Sequence, residues 1–347
     1  MSETGIGDAR KRVFVSEVTD LRSEIREALE YTGFNDRVGR DSKVFLKPNL
    51  TWKCHLPGVT TSPGFLQALI EAVMDYTPHI TVGESSGGYN GYAAREAFAG
   101  HGLYDLSKRY GFALVDLGEA ECEEVDGVVG GVHLTVDLPK FLLHEVDLFA
   151  TVPVPKVHSN TIVSLALKNQ WGCLPDVMRL RLHPQFAELI VLVNRKLRTQ
   201  FAIFDAVHML DVTGPLIGEP VKKNLVIAAN DPGAGSLVCC RIMGIDPWSI
   251  RHHRTAQREG LFPTKGEEIA LSQPLDKWCT HQFRLKRNLV NWVSYAAFHS
   301  SLVTRVVYDS RCADLCHQAL YSLRKNRLAG KILYGKIGPP AIEGHRR

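Results

Sequence analysis

Residues 151–172, TVPVPKVHSNTIVSLALKNQWG, constrain this chain more than any other stretch. They set two lysines, a histidine, two asparagines and several hydroxyls around an apolar run. An apolar strand over 148–154 enters the stretch, and the pattern predicts a helix over 161–171 leaving it. Cationic and amide groups at a strand-to-helix crossing are what holds a small anionic ligand.

Strand-like and helix-like segments alternate around this stretch. The patterns predict strands at 12–18, 43–46, 79–82, 112–116, 148–154, 201–205 and 224–229. They predict helices at 21–31, 62–76, 93–100, 103–110, 186–196 and 232–243. A serine N-cap followed by proline opens the second of these helices. The acidic, glycine-rich residues 119–131 read as an exposed connection or a hairpin. Such alternation predicts an α/β fold: a mostly parallel sheet with helices on both faces. Ligands of such sheets bind beyond the carboxyl ends of the strands. Lys47-Pro48-Asn49, Gly83-Glu84-Ser85, Lys156 with His158, Asp205 and Asn230-Asp231 all fall at those ends.

The 45% hydrophobic content supports a sizeable core, and a net charge of +4 is too small to argue for nucleic acid as a partner. The organisation expected is an α/β main domain over residues 1–270 and a basic helical extension over 271–347. Residues 281–331 carry a strong excess of arginine and lysine over acids. This segment is open to three uses: peripheral contact with an anionic membrane, contact with a protein, or packing of its apolar face on the main domain. The N-terminus lacks the apolar region of a signal peptide, and no apolar run approaches the ~18 residues of a membrane span. A cytoplasmic location is expected. The eight cysteines form no CxxC pair. Cys312-x3-Cys316-His317 is the nearest approach to a metal pattern, and two cysteines packed on adjacent helical turns explain it equally well.

Taken in series, the clusters resemble the family catalogued as domain of unknown function 362. The pieces are Lys47-Pro48-Asn49, Thr60-Thr61-x-Pro63, Gly83-Glu84-Ser85, Pro153-x-Pro155-Lys156-x-His158 and Leu165-x-Leu167-Lys168-Asn169-x-x-Gly172. His183, Asp205, Gly214-Pro215-x-x-Gly218, Asp231-Pro232 and Met243-Gly244-Ile245-Asp246 complete the series over about residues 15–247. The resemblance implies an α/β protein. Some members carry a ferredoxin-type iron–sulfur domain; the cysteine run for one is missing here, so no built-in electron route is expected. Two departures stand out. Ser236 occupies a place where the family usually has a second aspartate, and Val212 one where it usually has glycine. Both weaken a site that would need paired aspartates for a metal.

Lys156 and His158 sit at alternate positions after a strand, so an extended chain puts both on one face. Lys168 lies on an apolar segment where an unpaired charge is costly to bury, which predicts an anion or a carboxylate such as Asp205 as its partner. Arg179, Arg181 and His183 form a basic run able to clamp a carboxylate or phosphate. The candidate catalytic residues are therefore Lys156, His158, Lys168, Asp205 and His183. The candidate binding residues are Lys47, Asn49, Thr61, Glu84, Ser85, Asn169, Arg181 and Asp231. No cofactor motif is present, and the loop 83–91 matches neither dinucleotide nor P-loop spacing. A divalent metal on Glu84, Asp205, Asp211 or Asp231 has no tight ligand spacing behind it.

The function expected is that of an enzyme acting on a small anionic, carboxylated or phosphorylated metabolite. Lysine and histidine would work by acid–base and electrostatic catalysis, in lyase, isomerase or cyclase chemistry. Two alternatives come from other classes. One is a redox accessory protein that docks an iron–sulfur partner. The other is a non-catalytic module binding a membrane or a protein through its basic C-terminal segment.

Overall fold

The computed structural model describes residues 10–87, 92–177, 179–265 and 267–286, without the side chains of Leu180 and Arg181. In chain order the elements begin with β1 (Arg12–Glu17), α1 (Leu21–Thr32), β2 (Val44–Pro48), α2 (Pro63–Met74), β3 (Ile80–Glu84), α3 (Ala94–Gly100) and α4 (Leu103–Tyr110). Next come β4 (Ala113–Asp116), β5 (Cys122–Val129), β6 (Val132–Pro139), α5 (Lys140–His144), β7 (Leu148–Val152), β8 (Lys156–His158), β9 (Ile162–Ser164) and α6 (Ala166–Asn169). The series ends with α7 (Phe186–Leu197), β10 (Phe201–Asp211), β11 (Glu219–Ala229), α8 (Pro232–Met243), α9 (Arg251–Arg258) and β12 (Ala270–Leu271).

Local chemistry explains the helix ends. Ser62 caps α2 by accepting from Phe65 N, with Pro63 in the first turn, and Asp231 caps α8 by accepting from Ala234 N. Gly33 and Gly244 close α1 and α8 in the left-handed conformation.

The main sheet runs β12-β1-β11-β10-β7-β2-β3-β4, with β8 and β9 attached through β10. The pairs β10–β7, β7–β2, β2–β3 and β3–β4 are parallel. The fold is thus α/β with a mostly parallel sheet. The exceptions are β11, a hairpin return from β10 that lies antiparallel to both β10 and β1, and β9, antiparallel to β8. Alternate side chains of one strand feed opposite faces. Leu46 packs into the core under α1 and α2, while its neighbour Phe45 joins the core under α7 and the β5–β6 hairpin. A third cluster packs α8 against Val13, Val15, Phe204 and Ile227.

One expected helix is divided. Residues 161–171 do not form a single helix: Ser159-Asn160-Thr161 turns a hairpin that pairs Lys156 with Ser164 and His158 with Ile162. Helix begins only at Ala166, and the segment ends in a 3-10 turn, Gln170–Cys173. The acidic residues after 119 enter the β5–β6 hairpin.

Residues 271–286 are tied to the main domain: Val15 N donates to Ser272 Oγ, Phe283 is buried, and Lys286 N donates to Val212 O. The rest of the basic segment, including Cys312, Cys316 and His317, lies outside the described residues. Among the described residues no helix is long and apolar enough to cross a membrane.

Candidate active site

The carboxyl ends of β2, β3 and β7 are neighbours in the sheet, so the loops that follow them meet at one edge. β2 delivers Lys47 and Asn49, β3 delivers Glu84, and the turn after β7 leads into β8 with Lys156 and His158. α6 crosses beneath, carrying Lys168 and Asn169. These side chains line one cleft of about 160 Å³, together with Thr51, Tyr92, Ser164, Trp171, Gly172, Arg179, Pro215 and Leu216.

The floor of the cleft is a buried ion pair. Lys47 Nζ lies 2.7 Å from Glu84 Oε2 and donates to Pro48 O at 2.7 Å. The Glu84 carboxylate also accepts from Leu50 N and Ser85 N. Each charge therefore has a partner of opposite sign and backbone support, which makes burial tolerable. Gly172 is required by this pair. A Cβ there would lie 2.5 Å from Glu84 Oε1 and 2.9 Å from Lys47 Nζ. The glycine that closes the Leu165–Gly172 motif thus makes room for the ion pair. Gly172→Ala is expected to displace both side chains and to weaken binding of an anionic ligand at least about tenfold, the cost of one charge-assisted hydrogen bond; calorimetric titration checks it.

Lys156 is fully buried and its ammonium is fully used. Nζ donates to Val59 O at 2.5 Å, Asn49 Oδ1 at 3.0 Å and Thr51 Oγ1 at 3.3 Å. Burial pushes its pKa well down, the Lys168 and Lys47 charges push the same way, and the Glu84 carboxylate pushes back. The three acceptors oppose that push, because a neutral amine has only two protons to give.

Asn49 and Asn169 join the pieces. Asn49 Nδ2 donates to Asn169 Oδ1, while Asn169 Nδ2 donates to Lys47 O and Thr151 Oγ1. His158 accepts from Asn160 N on Nδ1 at 3.1 Å. With Nδ1 accepting, the proton of the neutral ring lies on Nε2.

Lys168 differs from the other two lysines. Among the described residues its Nζ has no hydrogen-bond or ion-pair partner, and it stands 5.5 Å from the Phe186 ring centre. Burial and the nearby Arg179 guanidinium lower its pKa to about 7. Arg179 is held in place by donating to Leu174 O and Ser86 O. Trp171 forms the adjoining wall, edge-on to Phe186 at 4.4 Å, and its buried indole N–H has no acceptor among the described residues.

Six expected residues thus share the cleft with Lys168: Lys47, Asn49, Glu84, Lys156, His158 and Asn169. Others stand elsewhere. Thr61 lies behind the wall, accepting from Asn49 N and donating to Val152 O. Ser85 ties the strand end to Gly172 O. His183 stacks on the Trp171 ring and faces a separate cavity with Arg251, His252 and Arg254. Asp231 is the cap of α8. Arg181 has its backbone in the 3-10 turn Arg179–Gln185, and its side chain is outside the described residues.

Asp205 does not meet Lys168. It accepts from Ser62 N at 2.7 Å at the start of α2, where burial raises its pKa to about 6. A carboxyl whose folded pKa is raised binds its proton more tightly when folded. Stability therefore falls as pH rises from about 3.8 to about 6, and the full cost is present above that. Asp205→Asn keeps an acceptor for Ser62 N–H and cannot ionise. The variant is expected to gain up to about 3 kcal/mol over the wild type at pH 7.5 and nothing at pH 4. Urea unfolding at the two pH values checks it, and equal gains at both would refute this origin.

Sequence reasoning missed Thr51, Tyr92, Ser164, Pro215 and Leu216, and chose Arg181 over Arg179 within the basic run. The Gly214-Pro215 motif marked the loop carrying Pro215 and Leu216; a lone threonine or tyrosine carries no such mark. Among the described residues no three or more His, Cys, Asp or Glu side chains gather as a metal site.

An α/β fold with a cationic cleft at the carboxyl edge of its parallel strands is thus the class of protein defined here. The chain belongs to the family described as Domain of unknown function (DUF362), whose model matches residues 44–241. It is 25% identical over 278 residues to a thylakoid-associated protein of Synechocystis, covering 76% of this chain and 84% of that protein. Among solved structures, the lactate racemase apoprotein from Thermoanaerobacterium thermosaccharolyticum is similar at a TM-score of 0.45 and 15% identity. That similarity covers 67% of this chain, which spans 57% of the racemase chain.

Proposed function

We propose that the protein is an enzyme acting on a small carboxylated or phosphorylated metabolite, moving a proton next to a carbonyl. One observation carries this: Lys47, Lys156, Lys168 and Arg179 line a single cleft against one carboxylate, Glu84. Four cationic side chains around one acid leave an excess of positive charge that a bound anion neutralises. The cleft is smaller than the ~300–1,000 Å³ of sites for drug-sized ligands, which favours a metabolite of a few carbons.

The roles follow from how each group is held. Lys47 and Lys156 are committed to protein acceptors and act as fixed charges that stabilise a developing enolate. His158 offers Nε2–H to the carbonyl oxygen. Near pH 7 about half of the Lys168 side chains are neutral amines able to accept a proton.

Deuterium exchange into the hydrogens next to the carbonyl of pyruvate and 2-oxoglutarate, followed by proton NMR, tests the chemistry. Wild-type protein is expected to catalyse exchange, and Lys168→Gln and His158→Ala to lose it by about 10²–10⁴-fold. Calorimetric titration with phosphate tests the anion site. With sulfate, whose charge is constant in this range, affinity is expected to fall as pH rises through about 7, where Lys168 loses its charge, and this step should vanish in Lys168→Gln. Absence of both exchange and anion binding would dismiss the proposal.

A second reading is peripheral attachment to an anionic membrane through residues 281–331. The excess of arginine and lysine there supports it, as does the thylakoid association stated for the Synechocystis relative. Sedimentation with phosphatidylglycerol vesicles should bring the full chain down and leave a chain ending at 286 in solution.

A further inference from the structure

We propose that Lys168 is a covalent nucleophile, attacking the carbonyl of an anionic oxo acid or phosphorylated aldehyde to form an imine within the cleft. This deepens the proposed function and rests on its anion site; imine formation at Lys168 replaces proton acceptance by the same nitrogen. Of the three lysines lining the cleft, only Lys168 has no hydrogen-bond or ion-pair partner among the described residues. Lys156 gives its three protons to Val59 O, Asn49 Oδ1 and Thr51 Oγ1, and Lys47 is paired with Glu84. Neither can release a lone pair without breaking those bonds. Lys168 stands over the Phe186 ring with Trp171 alongside; burial there disfavours the ammonium, and no hydrogen-bond acceptor among the described residues holds the nitrogen. Arg179 is close enough to depress the ammonium and offers a charge for the carboxylate or phosphate of the same substrate.

The step balances without a further reactant. The amine lone pair forms the C–N bond and the C=O π electrons move to oxygen. Both amine hydrogens then leave with that oxygen as water, giving the neutral imine. Its protonation from solvent yields an iminium that draws electrons from the adjacent C–H bond, giving an enamine while the released proton passes to solvent water.

The test is borohydride trapping with glyoxylate near pH 7 on the full chain, with the modified residue mapped by tandem mass spectrometry. With a pKa of about 7, Lys168 holds about a thousandfold more free amine than a lysine at 10.5. Carboxymethylation is therefore expected at Lys168 first. Labelling there should be suppressed by phosphate and should fade as pH is lowered to 5. In Lys168→Arg the fast-labelled site should disappear while surface lysines label as before. Label spread over surface lysines with Lys168 unmodified in the wild type would overturn the inference, whatever the variant does. Phosphate calorimetry on the same sample separates the two claims. Anion binding without labelling removes the nucleophile and leaves the anion site standing. Labelling without anion binding removes the anion site and keeps a reactive amine.

Discussion

Lys47→Met is expected to lower the free energy of unfolding by about 3–5 kcal/mol, and Lys47→Met with Glu84→Gln to recover most of the loss. Removing Lys47 strands the Glu84 carboxylate, which is 4% exposed, beneath the cleft. An unpaired buried charge of this kind costs about that much. Leu50 N and Ser85 N would still donate to Glu84, but two backbone dipoles do not replace an ammonium at 2.7 Å. In the double variant the neutral carboxamide keeps an acceptor for Leu50 N and methionine fills the volume, so no buried charge remains. Urea unfolding of the two single variants and the double variant closes a mutant cycle. A coupling energy near zero would mean that the pair does not hold the cleft floor together. Loss of phosphate binding should accompany Lys47→Met at temperatures well below its unfolding, since a stranded carboxylate repels the ligand.

Much of this cleft was legible before any coordinates. The strand ends at Lys47, Glu84 and Lys156 could be placed because apolar runs stop there on polar residues. Proline and glycine then fix the turns, as at Pro48 and Pro155. The helix of 62–76 is marked by a serine cap followed by proline, whereas Asp231, the cap of 232–243, reads as a binding residue in the sequence. What could not be read was pairing across distance. Asp205 lies at a point of β10 where a polar ligand contact and a helix-start contact look alike in sequence; only the packing of α2 against β10 gives it to Ser62 N. The antiparallel course of β11 was hidden for the same reason, because an apolar strand does not record which neighbour it has or in which direction. The apolar run 162–167 has helical composition, yet Ile162 takes a positive φ of 67° and the hairpin with β8 wins. Lys156 and Lys168 were equivalent in sequence. Their difference, three acceptors for one and none described for the other, exists only once the loop 49–61 is in place.

That difference determines what a substitution at Lys156 reports. A lysine that touched only the substrate could be replaced with turnover lost and the fold intact. The geometry leads to another outcome: Lys156→Met should cost about 1–3 kcal/mol, because Val59 O, Asn49 Oδ1 and Thr51 Oγ1 lose their shared donor and the Thr51 hydroxyl can serve only one of the first two. Stranded buried acceptors cost about 1–3 kcal/mol each. The damage should concentrate in residues 49–61, since Nζ bonds both ends of that loop: Asn49 and Thr51 at its start, Val59 near its close. Limited proteolysis is expected to cut the variant within 49–61 at a concentration that leaves the wild type whole. Calorimetry should show weakened phosphate binding even at temperatures where the rest of the molecule is folded. A wild-type unfolding midpoint with an unchanged cleavage pattern would show that Lys156 does not staple the loop, and would return it to the role of a direct ligand for the substrate. At Lys168 the opposite pattern is expected. Its Nζ bonds to nothing in the described protein, so Lys168→Gln should unfold within about 1 kcal/mol of the wild type, as substitutions that break no buried partner usually do, while exchange and trapping are lost. A stable, inactive Lys168 variant beside an unstable Lys156 variant would separate the residue that performs the chemistry from the one that builds its cleft.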